Sequence, residues 1–272
     1  MKNLIFILTM VGALMAQDNF IGDVFEKGSV NYGDRTIQAI GIGFIPENVI
    51  NAGQARRSAM RIAKQDALRQ LIEIVNGVNV TSETTASGAM FDDVIKTQVQ
   101  GAIRGARQIG EVKYLSDTSV EITYEVKMAD ISRVLLPPAE NTESLTSNDG
   151  NTNFKVNSTG ITGIIIDGTG LGLKPAMSPK IINDSGDVVY GPGQYTRDFA
   201  AANGVVGYAR SMDKAKNDSR VQGNPLVIKA SSATGSSAAD LVISNIDAEK
   251  VSKANADSGL LSNCRVIFLL DE

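Results

Sequence analysis

The sequence of 272 residues contains no histidine, no tryptophan and a single cysteine, Cys264. Without histidine, the protein lacks the commonest general base and the commonest transition-metal ligand. One cysteine can form neither an intramolecular disulfide nor a thiolate metal cluster. This composition argues against histidine-based catalysis and thiolate metal sites, and the sequence assigns no catalytic residue, metal ligand or cofactor-binding residue.

Aromatic side chains and excess positive charge are also scarce. Aromatic residues make up 5% of the chain, and 26 Lys and Arg stand against 30 Asp and Glu, a formal net charge of −4. Proteins that bind nucleic acid usually carry a basic patch, so we expect no nucleic-acid partner. Hydrophobic residues make up 43%, which is enough for a sizeable core in one large domain or two ordinary ones.

The first residues have the composition of a cleavable export signal. Lys2 precedes an apolar run from Leu4 to Met15, and Ala16 marks the expected cleavage site. The run is shorter than the ~20 residues that span a bilayer, so no transmembrane segment is expected. No cysteine lies at the cleavage site, so no lipid anchor is expected either. The predicted location is the periplasm or the cell exterior, with association at the outer membrane as an alternative.

Composition divides the chain into five segments, and the fold class expected for the two domains is α+β. The first domain should place two helices on one face of a mainly antiparallel sheet, and the second should be glycine-rich and β-dominated. A polar stretch without periodicity follows Pro137 and predicts the linker. The segments are a signal peptide (1–16), an arm (17–34), the first domain (35–137), a linker (138–153) and the second domain (154–272).

The longest predicted helix covers residues 51–77. Its apolar residues recur at three- and four-residue steps, and most of those in the first two-thirds are alanine. The preceding strand, residues 35–44, has glycine at Gly41 and Gly43, which lets an alanine-rich helix approach closely. We interpret this helix as a core helix on the sheet. A basic binding helix is the alternative, although acidic residues interrupt its positive face.

Three further elements complete the predicted first domain. Residues 78–85 are β-branched and predict a second strand. Phe91, Val94, Ile95, Val99, Ala102 and Ile103 mark one face of a second amphipathic helix that ends near Arg104. Residues 107–115 and 119–128 predict a hairpin whose second arm has one buried face and one wet face.

The second domain should consist mostly of short strands. Residues 161–167, 200–212, 225–230, 240–244 and 264–270 predict strands, 180–190 a tight hairpin and 247–256 a short helix.

Five short motifs suggest chemistry, and each has a simpler structural interpretation. Asp167–Gly172 lacks the helix that a phosphate loop needs, so a tight turn is expected. Asn183–Asp187 lacks the later glutamate of a calcium loop, and Asp92 with Asp93 should start a helix. The serine-rich stretch 231–237 contains no nucleophile elbow. Cys264, beside Arg265, opens an apolar strand, where a buried, inert thiol is expected.

The residues of the first domain resemble a known bacterial family. The resembling residues are Gly41, Gly43, Phe44 and Pro46, then the helix pattern Ala55, Arg56, Ala59, Ala63, Asp66, Ala67 and Leu71, then Gly77, Gly101, Gly105 and the hairpin Tyr114–Met128. Together they are similar to the Lpp-twenty-type lipoprotein family, which includes the N-terminal domain of flagellar assembly protein T and the flagellar basal-disk lipoprotein P. The resemblance covers about Thr36–Leu135. Residues 163–181 and 225–230 resemble a C-terminal extension found with this domain.

The resemblance implies a non-enzymatic structural or assembly protein of the bacterial envelope. Such a protein would form or stabilise a ring or disk at the flagellar basal body, as a homo-oligomer with flagellar or envelope partners. The lipobox cysteine of the lipoprotein members is absent, which favours a protein without an outer-membrane anchor. Two alternatives stay open: a binding module for a glycan or protein partner that uses the glycine-rich loops, and a hydrolase that works through carboxylates alone.

Overall fold

A computed structural model describes residues 20–45, 51–137 and 160–271. The contacts divide these residues into two units. The first comprises 20–45, 51–78 and 86–131, and the second comprises 79–85, 132–137 and 160–271. The α+β class is confirmed, with an antiparallel sheet and helices in the first unit and a β-rich second unit. The predicted signal peptide and linker lie outside the described residues.

The first unit contains a five-stranded antiparallel sheet in the order β1-β2-β3-β5-β4. Its strands are β1 (Gly22–Phe25), β2 (Gly28–Asn31), β3 (Thr36–Gly43), β4 (Arg107–Tyr114) and β5 (Val120–Lys127). The helices are α1 (Ala52–Asn76), α2 (Ala86–Ala89), α3 (Asp93–Arg104) and α4 (Met128–Leu135), and the boundary between the units falls within α4. Residues 22–31, expected in a loose arm, instead form a hairpin that pairs with β3.

Helix α1 lies against β3 at very short range, as its alanines and the strand glycines predicted. The Asn51 side chain accepts a hydrogen bond from Gln54 N (2.9 Å) and fixes the start of the helix. A Cβ built on Gly41 would overlap the carbonyl oxygen of Ala63, and one built on Gly43 would overlap that of Ala59. The backbones of helix and strand are therefore in contact, and the interpretation of α1 as a core helix is confirmed.

Asp66 adds a polar link between α1 and β3. Its Oδ2 accepts a hydrogen bond from Ile42 N (3.0 Å), and its Oδ1 accepts one from Arg69 Nη2 (2.7 Å). Burial by itself would raise the pKa of Asp66, but the bonds from Ile42 and Arg69 outweigh it, so the pKa lies below its usual value. The ionised carboxylate is thus the form that joins the helix to the sheet.

The expected wet face of β5 is largely covered. Glu121 and Glu125 are only 6% and 7% exposed. Lys113 Nζ lies 2.7 Å from Glu121 Oε1, and Arg107 Nη2 lies 2.6 Å from Glu125 Oε1. The prediction was wrong because the strand beside β5 supplies long basic side chains, whose stems cover the carboxylates.

Residues 78–85, predicted as a strand of the first domain, do not form one. Only an isolated bridge joins Asn79 to Thr85. Val80 N and Thr81 N both donate to Thr84 O (2.9 and 3.1 Å), so the segment closes into a turn. Residues 79–85 belong to the second unit, since their contacts are made there. The β-branched composition indicated extended backbone but could not indicate which residues it would meet.

The second unit contains two four-stranded sheets. One has the order β10-β6-β13-β9 and is parallel throughout. The other has the order β11-β12-β7-β8, with a parallel β12–β7 pair between antiparallel ones. The strands are β6 (Ile164–Asp167), β7 (Ile181–Asn183), β8 (Val188–Tyr190), β9 (Gly207–Ala209), β10 (Leu226–Lys229), β11 (Ser232–Thr234), β12 (Asp240–Ile243) and β13 (Val266–Leu269).

Three helices accompany these sheets: α5 (Arg197–Asn203), α6 (Met212–Asn217) and α7 (Asn245–Ser258). The strand predicted at 200–212 is wrong over its first part, because residues 197–203 are helical and only Gly207–Ala209 is extended. The run of alanines at 200–202 favours helix over strand. The predicted strands at 161–167, 225–230, 240–244 and 264–270, the hairpin at 180–190 and the helix at 247–256 are present.

The close contact of α1 with β3 predicts a large effect at Gly43. Gly43→Val should destabilise the protein by about 3 kcal/mol, because the added atoms would overlap the α1 backbone. Gly101→Ala is the matched control: its added methyl group would meet no atom within 4 Å, and alanine favours helix, so it should stabilise by about 1 kcal/mol. Urea unfolding measures both. Equal effects of the two variants would contradict the packing described.

Asp66 predicts a pH-dependent contribution to stability. Because its folded pKa is lowered, the contribution is present above the unfolded pKa of about 4 and is lost as the pH falls through the folded value. Asp66→Asn should cost about 1–2 kcal/mol at pH 7, and the difference from wild type should shrink below about pH 4. Glu73→Gln, at the exposed partner of Arg69, should change stability little. Urea titrations from pH 3 to 7 test this, and a deficit that is constant with pH would refute it.

Candidate functional site

An open cleft of about 480 Å³ lies at the carboxyl ends of the parallel strands β6, β9 and β13. In sheets of parallel strands, ligands commonly bind in crevices outside these ends. The lining residues follow directly after the strands or end them: Asp167, Thr169, Arg210, Ser211, Met212, Leu269 and Asp271. Topology thus gathers polar side chains that are far apart in the sequence.

The loop after β6 forms one wall of the cleft. Asp167 Oδ1 accepts hydrogen bonds from Thr169 N (3.0 Å) and Thr169 Oγ1 (2.6 Å). Gly170 N donates to the Asp271 carboxylate, which joins this loop to the end of β13. The loop is a turn, and no helix begins after it before Arg197. This agrees with the predicted tight turn and gives no helix N-terminus for a phosphate.

Arg210 forms the opposite wall. Its Nη1 donates to the backbone oxygen of Asp271 (2.6 Å), and its side chain is otherwise exposed to solvent. With the hydroxyls of Thr169 and Ser211, the cleft offers hydrogen-bond donors and acceptors beside the apolar Met212 and Leu269. Within the described residues, no three His, Cys, Asp or Glu side chains come close enough to hold a metal ion. The cleft therefore presents charged, hydroxyl and apolar groups side by side.

Two of the sequence motifs form a turn and a helix start. Asn183 Oδ1 accepts hydrogen bonds from Ser185 N (3.1 Å) and Asp187 N (2.7 Å), so its oxygen closes the hairpin turn. Asp92 Oδ1 accepts from Val94 N (2.8 Å) and Ile95 N (3.3 Å) as the N-cap of α3. These side chains form the turn and the helix start that their sequence positions predicted.

The serine-rich stretch and the cysteine are also accounted for by structure. Ser232–Thr234 forms the edge strand β11, which pairs with β12. Cys264 is fully buried, and its carbonyl oxygen accepts a hydrogen bond from Arg220 Nη1 (2.6 Å). A buried thiol without solvent access behaves as a small apolar side chain.

Three tyrosines, Tyr190, Tyr195 and Tyr208, are buried in the second unit. Burial raises the pKa of Tyr195 to about 12, and burial raises the pKa values of Tyr190 and Tyr208 above their usual range as well. Tyr190 Oη donates to Val205 O (2.7 Å), and Tyr208 Oη donates to Ala176 O (2.9 Å). The Tyr190 and Tyr208 phenols are thus neutral donors to backbone oxygens and hold loops in place.

A second candidate site lies at the start of α3. The sequence predicted that Phe91 and Val94 mark the same amphipathic helix as Val99 and Ile103. Only the latter two are buried, whereas Phe91 is 91% exposed and Val94 is 65% exposed. The prediction was wrong for Phe91, which precedes the N-cap Asp92 and so lies outside α3. The helical period could not specify how far a neighbouring element covers Val94. We call the exposed pair the Phe91–Val94 surface.

One family model matches part of the chain. Residues 163–272 are similar to the second domain of Tp0624 from Treponema pallidum. The match begins at the start of the parallel sheet and covers less than half of the chain, without residues 79–85. Comparison with curated proteins finds no match. None of the helices in the described ranges combines the length and apolar character needed to cross a bilayer.

Proposed function

We propose that this is an exported, non-enzymatic structural protein of the bacterial cell envelope that works by self-association. We further propose that it forms or stabilises a ring or disk, such as one at the flagellar basal body, as the Lpp-twenty-type resemblance suggests. The observation that carries the proposal is the Phe91–Val94 surface, where the described residues leave apolar side chains at the start of α3 uncovered.

This surface is presented in a fixed position. The Asp92 side chain caps α3 between the two residues, and Val99 and Ile103 hold the rest of the helix in the core. Burying a side chain such as Phe or Val stabilises an interface by about 1.5–3 kcal/mol. Exposed apolar side chains held in place at a helix start commonly mark a protein–protein contact. We therefore assign the surface to contact with a second copy of the chain.

A non-enzymatic role is consistent with the chemistry of the described residues. The chain has no histidine, and Cys264 is buried. The hydroxyls of Tyr190, Tyr195 and Tyr208 are protonated near neutral pH, and burial raises their pKa values still further above it. These groups therefore supply neither a base nor a nucleophile at physiological pH.

The proposal predicts that assembly depends on the Phe91–Val94 surface. The double variant Phe91→Ser, Val94→Ser, made in the chain without residues 1–16, should weaken self-association by about 100-fold, because about 3 kcal/mol of apolar burial is lost. Sedimentation velocity over a concentration series measures this. Ile246→Ser is the matched control, since Ile246 is 69% exposed but lies on α7. Circular dichroism checks the fold of each variant. Wild-type protein that stays monomeric, or a double variant that assembles normally, would contradict the proposal.

A second candidate function is supported by the cleft at the carboxyl ends of β6, β9 and β13. Its mixture of guanidinium, carboxylate and hydroxyl groups is suited to the hydroxyls of a glycan, so the protein would act as a periplasmic or surface binding module.

This candidate predicts saturable binding that depends on Arg210. On a glycan array, Arg210→Ala should weaken binding of any ligand by about tenfold or more, because a charge-assisted hydrogen bond is removed. Lys253→Ala, an exposed change on α7, should leave binding unaltered. If the wild-type protein captures no glycan, or if the two variants bind alike, the cleft is not a glycan site.

A further inference from the structure

The segment formed by residues 79–85, here called the strap, completes the second unit from a distant part of the sequence. It lies between α1 and α2, which belong to the first unit, yet its own contacts place it in the second. Its side-chain hydrogen bonds to that unit join residues 96, 158 and 153 positions apart. The second unit is therefore discontinuous, and the strap occupies an acceptor site built by residues 175–180 and 235–240.

Backbone atoms supply much of the binding. Met177 N donates to Asn79 O (2.9 Å), Ser178 N donates to Val80 O (2.7 Å), and Ser237 N donates to Ser82 O (2.9 Å). Main-chain hydrogen bonds thus hold the turn of the strap to the acceptor site, and its buried side chains add specificity. Val80 and Ser82 are the buried, inward-facing side chains of the strap.

Side chains make the acceptor site selective for a small hydroxyl residue followed by an acid. Ser82 Oγ donates to Asp240 Oδ2 (2.5 Å), and both residues are buried. Asp240 Oδ1 accepts from Lys180 N (2.7 Å), so both carboxylate oxygens have partners only when the strap is present. At the next position, Glu83 accepts hydrogen bonds from Ser236 N (3.2 Å) and Ser236 Oγ (2.5 Å).

Gly235 leaves the space that the strap requires. Its φ is +86°, and a Cβ at this position would overlap the Cβ of Ser82. The glycine thus serves two purposes, because it adopts a left-handed backbone conformation and it leaves room for the incoming segment. The acceptor site has the shape and the hydrogen-bonding groups of a binding site for this particular peptide segment.

The covalent chain does not restrict these contacts to one molecule. Residues 132–137 belong to the second unit along with the strap, and residues 138–159 alone connect them to the rest of it. The polar, aperiodic composition of 138–153 predicts a linker. When two binding partners are joined by a linker, the contact within one chain competes with the same contact between chains. Contacts between chains are favoured over the contact within one chain when a second interface holds the same copies together. The Phe91–Val94 surface would be that second interface.

We propose that the strap of one copy occupies the acceptor site of a second copy, so that copies of the chain join head to tail. This inference rests on the self-association proposed above and specifies how it occurs. An exchange of this kind creates a heterologous interface, which closes into a ring when the rotation between copies permits it. No new contact is needed, since every hydrogen bond of the strap is preserved.

Thiol cross-linking between two differently marked chains tests the exchange. One chain carries Glu83→Cys and the other Ser236→Cys; both positions are exposed, and the bond between Ser82 and Asp240 is left intact. The two chains are co-expressed, treated with a short bifunctional thiol reagent and denatured with an alkylating agent that blocks the buried Cys264. The expected product is a cross-linked species of twice the chain mass, found in the assembled fractions.

The control replaces Ser236→Cys by Ser252→Cys, an equally exposed serine on α7, and should give no such species. A single chain with both Glu83→Cys and Ser236→Cys shows whether the cross-link also forms within one chain. If assembled fractions contain only the intrachain cross-link, the exchange is refuted while self-association stands. If no assembled fraction forms at all, both the proposed function and the exchange are refuted.

A second pair of variants separates loss of the strap contact from general strain. Gly235→Ala adds a methyl group that overlaps Ser82, whereas Gly186→Ala meets no atom within 4 Å at a similar φ of +88°. Both carry the cost of alanine in a left-handed conformation. In the marked chains, Gly235→Ala should abolish the cross-linked dimer, and Gly186→Ala should retain it. A dimer that persists in the Gly235→Ala background would overturn the assignment of the acceptor site.

Discussion

The contact between the α1 backbone and the β3 backbone is the constraint on which the first unit depends. Helices usually pack at a distance set by their side chains, but here glycine on the strand and alanine on the helix bring main chain to main chain. At this distance a polar side chain of the helix can reach the strand backbone, and Asp66 does so by accepting a hydrogen bond from Ile42. Because the helix lies so close to the strand, few other residues would fit at the β3 positions that face it.

The second unit depends on buried polar groups as well as on apolar ones. Arg220 donates to the carbonyl oxygens of Asn203, Gly204 and Cys264, and Arg265 Nη1 donates to Thr162 O (2.9 Å). Such groups must find partners when they are removed from water, and each one fixes the loop that supplies its partner. Asp240 follows the same rule, because one of its partners comes from the strap. Hydrogen bonds between distant segments thus order loops of the second unit.

The proposed self-association and the discontinuous second unit share one physical feature. In each, apolar side chains or hydrogen-bonding groups are not covered or paired by residues near them in the sequence. The Phe91–Val94 surface is apolar area that the described residues do not cover. The acceptor site is a set of backbone donors and one carboxylate that the second unit satisfies with a segment from elsewhere in the chain. In both cases the groups are held in fixed positions, which favours specific contact over loose adhesion.

Elements whose causes are local could be predicted from adjacent residues. Helix α1 begins and ends within a residue of its prediction, because its cap and periodicity lie in adjacent residues, and the hairpin of β4 and β5 followed from alternation and turn composition. Where those elements find partners depends on the assembled fold. It placed residues 79–85 in the second unit, covered Glu121 and Glu125 with basic side chains, and left Phe91 exposed. Periodicity specifies which face a residue occupies, but burial depends on segments that are distant in sequence, and their positions are set by the whole fold.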